Sequence, residues 1–152
     1  MANIKKMNIN NSNGVNNIEI QLVNEWSITD IVDLYKAGGW WKESYNPNGI
    51  PALITGSFAF AIAVDIRIKK AIGMGRVISD GVSDAYIQDV VVLKDWRGKG
   101  IGVAIVKNLL EHCLEKKMLW IGLIAEPGTE TFYLPLGFKP FPGKPMVFQK
   151  ED

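Results

Sequence analysis

The spacing of hydrophobic and polar residues predicts alternating strands and helices in the first half of the chain. "IEIQLV" alternates apolar and polar residues, as a strand with one buried face does. "SITDIVDLYKAGGW" repeats apolar residues at helical spacing after a capping residue, Ser27, and ends at two glycines. A short helix follows in "NPNGIPALITGS". "FAFAIAVD" and "KKAIGMGRVISD" then predict two more strands.

The second half of the chain predicts a strand–helix–strand unit and a shorter closing part. "AYIQDVVVL" is a strand pattern, residues 102–117 carry a helical apolar stripe, and "LWIGLIA" is a further strand pattern. "TETFYLPLGF" predicts a short helix and "KPMVFQK" an edge strand. Successive strands favour antiparallel pairing, whereas the strand–helix–strand unit favours a parallel crossover. We therefore expect an α/β (α+β) domain with a mixed, mostly antiparallel sheet of about six to seven strands and helices on both faces.

Length and composition fit one ordinary globular domain and exclude several function classes. We expect residues 1–17 to form a flexible tail and residues 18–152 a single domain. The formal net charge of +1 gives no electrostatic signature of nucleic-acid binding. The longest apolar run, "FAFAIAV", is far below the ~20 residues that span a membrane. The single cysteine excludes an intrachain disulfide and a cysteine-rich metal site, the single histidine excludes a multi-histidine site, and both favour a reducing, cytoplasmic setting.

Three glycines at alternate positions, Gly98, Gly100 and Gly102, separate the "AYIQDVVVL" strand from the long helix. A helix start offers unpaired backbone N–H groups and the positive end of the helix dipole, and glycines let an anion approach them closely. Arg97 and Lys99 add positive charge beside the turn. The segment "RGKGIG" therefore predicts a phosphate cradle.

Two common phosphate-binding motifs do not fit this turn. A Walker loop ends in Gly-Lys-Ser/Thr, but here Gly100 is followed by Ile101 and Gly102. A dinucleotide fingerprint needs a small residue at position 103 or 105, where the chain has Val103 and Ile105. The alternative to a phosphate cradle is a plain tight turn before a helix, without a ligand.

The turn and a downstream segment together resemble the GNAT superfamily of N-acetyltransferases. Arg97, Gly100 and Gly102 match the family's motif A, which is Arg or Gln, two residues, Gly, one residue, and Gly or Ala. "FYLPLGF", residues 132–138, resembles the family's Phe-Tyr-x-x-x-Gly-Phe segment. The resemblance covers residues 18–149 and implies an acyl-CoA N-acyltransferase fold. It also implies acetyl transfer from acetyl-coenzyme A to a primary amine of a small molecule or peptide.

The resemblance also implies which residues bind the coenzyme. Motif A would hold the pyrophosphate, and the backbone of the preceding strand would pair with the pantetheine arm. The residues expected to bind acetyl-coenzyme A are Val91, Val92, Leu93, Arg97, Gly98, Lys99, Gly100, Ile101, Gly102, Phe132 and Tyr133. A non-catalytic acyl-coenzyme A sensor would use the same cradle, and it stands as the alternative function.

Two residues are candidates for proton transfer. Tyr133 matches the family tyrosine that donates a proton to the coenzyme sulfur. Asp89 is a carboxylate inside an otherwise apolar strand, which needs an explanation, and a general base for the amine is one. Glu126 and Tyr86 are rival bases, and a chain of waters without a single base is a further alternative.

The acceptor side is expected near the end of the first helix. Tyr35, Trp40 and Trp41 occupy the region that, in the resembled family, helps wall the acceptor site, and an aromatic face can bind a cationic amine. We expect no nucleic-acid, membrane or metal partner. The predicted edge strand at residues 146–149 could pair across a homodimer.

Overall fold

A computed structural model describes residues 7–8 and 17–151 of the chain, with side chains from residue 17 onward. The strands are β1 (Met7–Asn8), β2 (Ile18–Leu22), β3 (Ala59–Asp65), β4 (Lys70–Ile78), β5 (Asp84–Val92) and β6 (Trp120–Leu123). The helices are α1 (Ile28–Ala37), α2 (Ile50–Gly56), α3 (Ile101–Glu115) and α4 (Glu130–Tyr133). Short 3₁₀ turns cover Pro47–Gly49, Lys94–Trp96 and Leu134–Leu136.

The six described strands form one sheet in the order β1-β2-β3-β4-β5-β6. Every neighbouring pair is antiparallel except β5 and β6, which are parallel and joined through α3. The predicted mixed, mostly antiparallel sheet is therefore confirmed. Strand β1 falls within the expected tail, and the rest of residues 1–16 lies outside the described part of the chain.

Local sequence explains where α1 begins and ends. The Ser27 hydroxyl accepts a hydrogen bond from the Asp30 backbone N–H at 3.3 Å, which satisfies a donor that the first turn cannot pair internally. The Gly38 N–H donates to the Leu34 carbonyl, and Gly39 follows with a φ of +76°. Residues Ile31, Leu34 and Tyr35 are buried on the inner face, so the predicted helix is confirmed.

The sheet carries one hydrophobic core on each face. Helices α1 and α2 cover one face and α3 covers the other. The glycines of β4 let α3 approach closely, since an added Cβ would lie 3.0 Å from Ile105 at both Gly73 and Gly75. The predicted helices on both faces are thus present. Among the described residues, no helix is both long and apolar enough to cross a membrane.

The expected edge strand in "KPMVFQK" is wrong. No strand is formed in residues 144–150, and Met146, Val147 and Phe148 are each more than 80% exposed (92%, 82% and 88%). A strand exists only through hydrogen bonds to a neighbour, which a local apolar pattern cannot guarantee. Pro140 and Pro142 precede the segment and Pro145 lies within it, and proline lacks the N–H needed for a ladder.

Candidate active site

The site is built where β5 separates from β6. Their parallel pairing runs from Asp84 with Trp120 to Ile87 with Leu123 and then stops, whereas β5 stays paired with β4 up to Val92. The register between β4 and β5 shifts in the same region, and Asp89 has a φ of +56°. This bulge bends β5 and opens a cleft between the two strands.

A cavity of about 240 Å³ lies at the point where the pairing ends. Two carboxylates line it, Asp89 of β5 and Glu126 in the loop after β6. Three aromatic rings also line it: Trp40 from the segment after α1, Tyr86 of β5 and Tyr133 of α4. Most of the remaining lining is aliphatic. A small apolar pocket with a few convergent polar groups is typical of a ligand site.

Asp89 is held by two partners. Its Oδ2 atom accepts a hydrogen bond from the Tyr35 hydroxyl at 2.7 Å and one from Arg76 Nε at 2.7 Å. The Asp89 and Arg76 side chains are 22% and 17% exposed, so this ion pair is largely shielded from solvent. Burial, followed by the hydrogen bond to Asp89, raises the pKa of Tyr35, which therefore remains a neutral donor to the carboxylate.

Glu126 is in a different electrostatic state from Asp89. It is exposed at the cavity, and it has no ion-pair partner in the described part of the chain. Its negative charge is therefore not neutralised by a cation of the described chain and is screened by solvent alone. Burial, followed by the charge of Glu126, raises the pKa of the Tyr133 phenol above its ordinary value of 10.0. The Tyr133 hydroxyl is consequently protonated at neutral pH and can donate a hydrogen bond into the cavity.

The glycine turn has the geometry of an anion site. Gly98 and Gly100 have φ values of +74° and +81°, and Gly100 is the N-cap of α3. No side chain caps the helix, and its first turn contains no acidic residue. The first intrahelical bond comes from Ala104 N–H to Gly100. The N–H groups of Ile101, Gly102 and Val103 precede that bond and can bind an anion.

The two sequence motifs meet in space. A Cβ added to Gly102 would lie 3.3 Å from the Phe132 ring, so the missing side chain lets α4 pack on the first turn of α3. Tyr133, the next residue, is fixed by edge-to-face contacts with Phe132 and Phe138, at ring-centroid distances of 4.9 and 5.7 Å. The glycine turn and the cavity are therefore connected through α4.

At the end of β5, only some of the backbone polar groups remain available to hydrogen-bond a ligand. The Leu93 N–H donates to the Ile72 carbonyl, so Val92 and Gly73 form a non-hydrogen-bonded pair of the antiparallel ladder. The backbone N–H and carbonyl of Val92 therefore point away from β4. The Val92 carbonyl accepts a hydrogen bond from Arg97 Nε at 2.8 Å, and Arg97 Nη2 also donates to the Ala37 carbonyl at 3.3 Å. Arg97 thus ties the end of α1 to the end of β5, and the Val92 N–H stays directed into the cleft.

The predicted acceptor residues have three different placements. Trp40 lines the cavity and contacts the buried Tyr35 ring edge-on. Tyr35 reaches the site through its hydroxyl bond to Asp89. Trp41 contacts Tyr45 and is not among the cavity-lining residues.

The pairing of Arg76 with Asp89 was not predicted. The two opposite charges lie on consecutive strands of one hairpin, but counting outward from the turn places Arg76 opposite Gln88, which is its registered partner. The register shifts between Met74 and Arg76, and this bulge brings Asp89 to Arg76.

Comparisons with known proteins show the family and the fold of the chain. A family model described as an acetyltransferase (GNAT) domain matches residues 56–140, more than half of the chain. "GCN5-related N-acetyltransferase 1, chloroplastic" of Arabidopsis thaliana is 37% identical over 88 residues, covering 57% of this chain and 45% of that protein. "Uncharacterized N-acetyltransferase ycf52" of Porphyra purpurea is 27% identical over 112 residues, covering 74% of this chain and 64% of that protein. The chain spans less than two thirds of these relatives.

Solved structures show the same fold. A probable acetyltransferase from meticillin-resistant Staphylococcus aureus superposes with a TM-score of 0.75 at 21% identity, covering 88% of this chain and 99% of that one. The enzyme AAC(6')-Iy, solved with a coenzyme A bisubstrate analogue, superposes with a TM-score of 0.68 at 15% identity, covering 89% and 99%. At these identities the likeness concerns the fold alone.

Proposed function

The chain belongs to the GNAT family of acetyltransferases, and from this premise we propose that it transfers an acetyl group from acetyl-coenzyme A to a primary amine of a small molecule or peptide. The observation that carries the proposal is the joint placement of the uncapped start of α3 and of Tyr133 beside one cleft. The start of α3 is suited to binding an anion, and Tyr133 is suited to assisting a leaving group. The bisubstrate analogue bound by AAC(6')-Iy supports a coenzyme A donor.

The residues of the glycine turn fit the donor. The N–H groups of Ile101, Gly102 and Val103 would hold the pyrophosphate, since nothing in the described chain caps them. The Val92 N–H would donate to an amide carbonyl of the pantetheine arm, whereas Arg97 already occupies the Val92 carbonyl. Phe132 would support this arrangement by packing on Gly102. Acetyl-coenzyme A supplies the acetyl group as a thioester.

The acceptor must lose a proton before it attacks. An alkyl amine has a pKa of ~10, so at neutral pH it is mostly an ammonium ion that needs a base. Asp89 is the proposed base. Its Oδ2 atom already accepts two hydrogen bonds, so Oδ1 would take the proton. Glu126, which has no ion-pair partner among the described residues, is the rival for the role.

Tyr133 is proposed to assist the leaving sulfur. In the overall reaction the ammonium nitrogen loses two protons and bonds to the acetyl carbon while the carbon–sulfur bond breaks, and the carboxylate takes one of these protons and the departing sulfur ends with the other. The conjugate acid of the thiolate has a pKa of ~8.5 by analogy with cysteine. Because the pKa of Tyr133 is raised above 10.0, complete proton transfer is uphill, and Tyr133 acts chiefly by hydrogen bonding to the developing thiolate.

The proposal is tested with purified protein, acetyl-coenzyme A and a mixed panel of amines. We expect free thiol to be released in proportion to an N-acetylated product, identified by a mass gain of one acetyl group. Thiol release without acetylated amine would indicate hydrolysis. Binding of acetyl-coenzyme A without thiol release would instead support the alternative, a non-catalytic acyl-coenzyme A sensor.

Two expectations from the sequence stay predictions. The cytoplasmic setting was inferred from cysteine usage, whereas the Arabidopsis relative is named as chloroplastic. The homodimer was inferred from the edge strand at residues 146–149, which the structure does not form. Light scattering of the purified chain would measure the assembly state directly.

A further inference from the structure

We propose that the cavity selects small amines that carry a single positive charge, a flat apolar body and no anionic group. This inference rests on the proposed acetyl transfer, because it names the acceptor class of the same site. Three features of the described residues carry it: the sign of the charges that line the cavity, the difference between its two carboxylates, and its aromatic walls.

The charges that line the cavity all have one sign. Asp89 and Glu126 are its ionisable carboxylates, and no lysine, arginine or histidine is among the described lining residues. An amine that also carries a carboxylate or a phosphate would place that anion in a cavity without a cation to pair with it. That anion would also stand near the Glu126 carboxylate, and like charges repel. The cavity therefore discriminates against amino acids and sugar phosphates.

The two carboxylates have different tasks. Asp89 is already neutralised by Arg76 at 2.7 Å and is bonded to Tyr35. Glu126 has no ion-pair partner in the described chain, and its charge is felt by Tyr133. The uncompensated negative charge of the cavity thus comes from Glu126. The structure assigns Glu126 as the residue that attracts and positions the acceptor ammonium.

The aromatic walls are held in place before any acceptor binds. Trp40 contacts the buried Tyr35 ring at a centroid distance of 6.3 Å, and Tyr86 contacts Trp120 at 5.0 Å. Both rings line the cavity. Fixed aromatic rings stack favourably on flat apolar groups, and their faces attract cations. The cavity of about 240 Å³ shares Tyr86, Leu123, Ile124 and Tyr133 with a larger neighbouring groove, so its rings rather than its volume select the acceptor body.

The central experiment compares acceptors that differ mainly in charge. The series is 2-phenylethylamine, phenylalaninamide and phenylalanine, and the last two differ by replacement of a neutral amide with a carboxylate. We expect kcat/KM for phenylalaninamide to exceed that for phenylalanine by at least about tenfold. Butylamine replaces the ring of 2-phenylethylamine with an aliphatic chain, and we expect it to be the poorer substrate of these two. Equal use of phenylalaninamide and phenylalanine would overturn the inference.

Variants test the assigned residues. Glu126→Gln should weaken binding of 2-phenylethylamine about tenfold and reduce the discrimination against phenylalanine. Glu126→Lys should reverse that discrimination. Glu25→Gln is the matched control, since Glu25 is an exposed glutamate between β2 and α1 that does not line the cavity. Trp40→Leu should reduce the preference for 2-phenylethylamine over butylamine. Unaltered discrimination in Glu126→Lys would contradict the assignment.

A binding measurement separates the inference from the proposed function. Calorimetry of the same amines is carried out on the protein saturated with coenzyme A, where no turnover can occur. If binding follows the predicted order but no amine is acetylated, the inference stands and the proposed function fails. If amines are acetylated without regard to charge, the function stands and the inference fails. If the amines neither bind nor react, both are overturned.

Discussion

The glycine turn and the cavity differ in how the chain builds them. The turn consists of consecutive residues, 97–103, and its candidate binding groups are backbone N–H donors at the start of α3. The cavity draws its lining from four separate segments, namely the one after α1, β5, β6 with the loop after it, and α4, and its candidate groups are side chains. A site built from local backbone groups depends on glycines whose missing side chains leave the N–H groups accessible. A side-chain site depends on long-range registration of strands.

The two regions are nevertheless linked through α4. Phe132 packs against Gly102, while Tyr133 lines the cavity. Different residues of α4 face the two regions, so a change in the cavity should affect turnover and leave coenzyme affinity nearly intact. A change in the turn should affect coenzyme affinity first. The predictions below test this separation.

The largest expected effect is at Asp89. Asp89→Asn preserves size, and asparagine tolerates the φ of +56° as aspartate does. If Asp89 is the base, activity at neutral pH should fall by about 10²-fold to 10⁴-fold. It should partly recover at high pH, where more amine is already neutral. The measurement is a pH–rate profile together with a thermal melt of the same protein.

A purely structural role for Asp89 gives a different pattern. The change would weaken the contact with Arg76 and replace an acceptor with a mixed donor and acceptor. The melting temperature would then fall, while the pH–rate profile would keep its shape. That outcome would transfer the base role to Glu126, to Tyr86 or to water.

The next effect is at Tyr133, also on the cavity side. Tyr133→Phe removes the hydroxyl alone, so we expect turnover to fall by roughly 10²-fold, and calorimetry should show nearly unchanged coenzyme affinity. Because burial and Glu126 raise the pKa of Tyr133 above 10.0, the wild-type phenol stays protonated below that pH. Wild-type activity should therefore not decline on the alkaline side before about pH 10. A fully active Tyr133→Phe would reduce the residue to packing.

A smaller effect is expected at the turn. Gly100→Asp places a negative charge at the N-cap of α3, where the pyrophosphate should bind. Acetyl-coenzyme A affinity should fall at least about tenfold, or ~1.4 kcal/mol. Gly100→Asn is the matched control, because it introduces a similar side chain at the same positive φ without the charge. Gly102→Asp is less informative, since its Cβ would also press on Phe132.

Calorimetry on folded protein decides this prediction. The two Gly100 variants should share any loss due to size and backbone strain, and only the aspartate should show the additional loss from repulsion. Equal affinities for Asn and Asp at this position would mean that no phosphate binds the start of α3.

The smallest effect is expected at Tyr35. Tyr35→Phe removes the hydroxyl bond to Asp89 and should cost about 1 kcal/mol of unfolding free energy near pH 7. Because the pKa of Tyr35 is raised in the folded protein, its contribution is complete below the ordinary pKa of ~10 and is lost as the pH rises above it. Tyr35→Phe should therefore show a shallower alkaline loss of stability in denaturant titrations. An identical alkaline slope would exclude this linkage.

The sequence by itself determined the local features of this protein. The periodicity of apolar residues placed α1, α3 and the strands from β2 to β6, because burial of one face depends only on spacing along the chain. The alternate glycines determined the candidate anion site, because positive φ angles and an uncapped helix start are local properties. The pairing of the glycine motif with "FYLPLGF" also placed Tyr133.

Only the tertiary structure decided the features that join distant residues. The bulge at Asp89 and the strand register brought Arg76 and Tyr35 onto one carboxylate atom and left Glu126 as the uncompensated charge. The tertiary structure also placed the Arg97 guanidinium where it donates hydrogen bonds to the carbonyls of Ala37 and Val92. The apolar pattern of "KPMVFQK" predicted a strand, but the segment does not pair with any described strand of the sheet. Hydrogen bonds and charges act over a few ångströms, and which groups come that close is set by packing of the whole sheet rather than by neighbours in the chain.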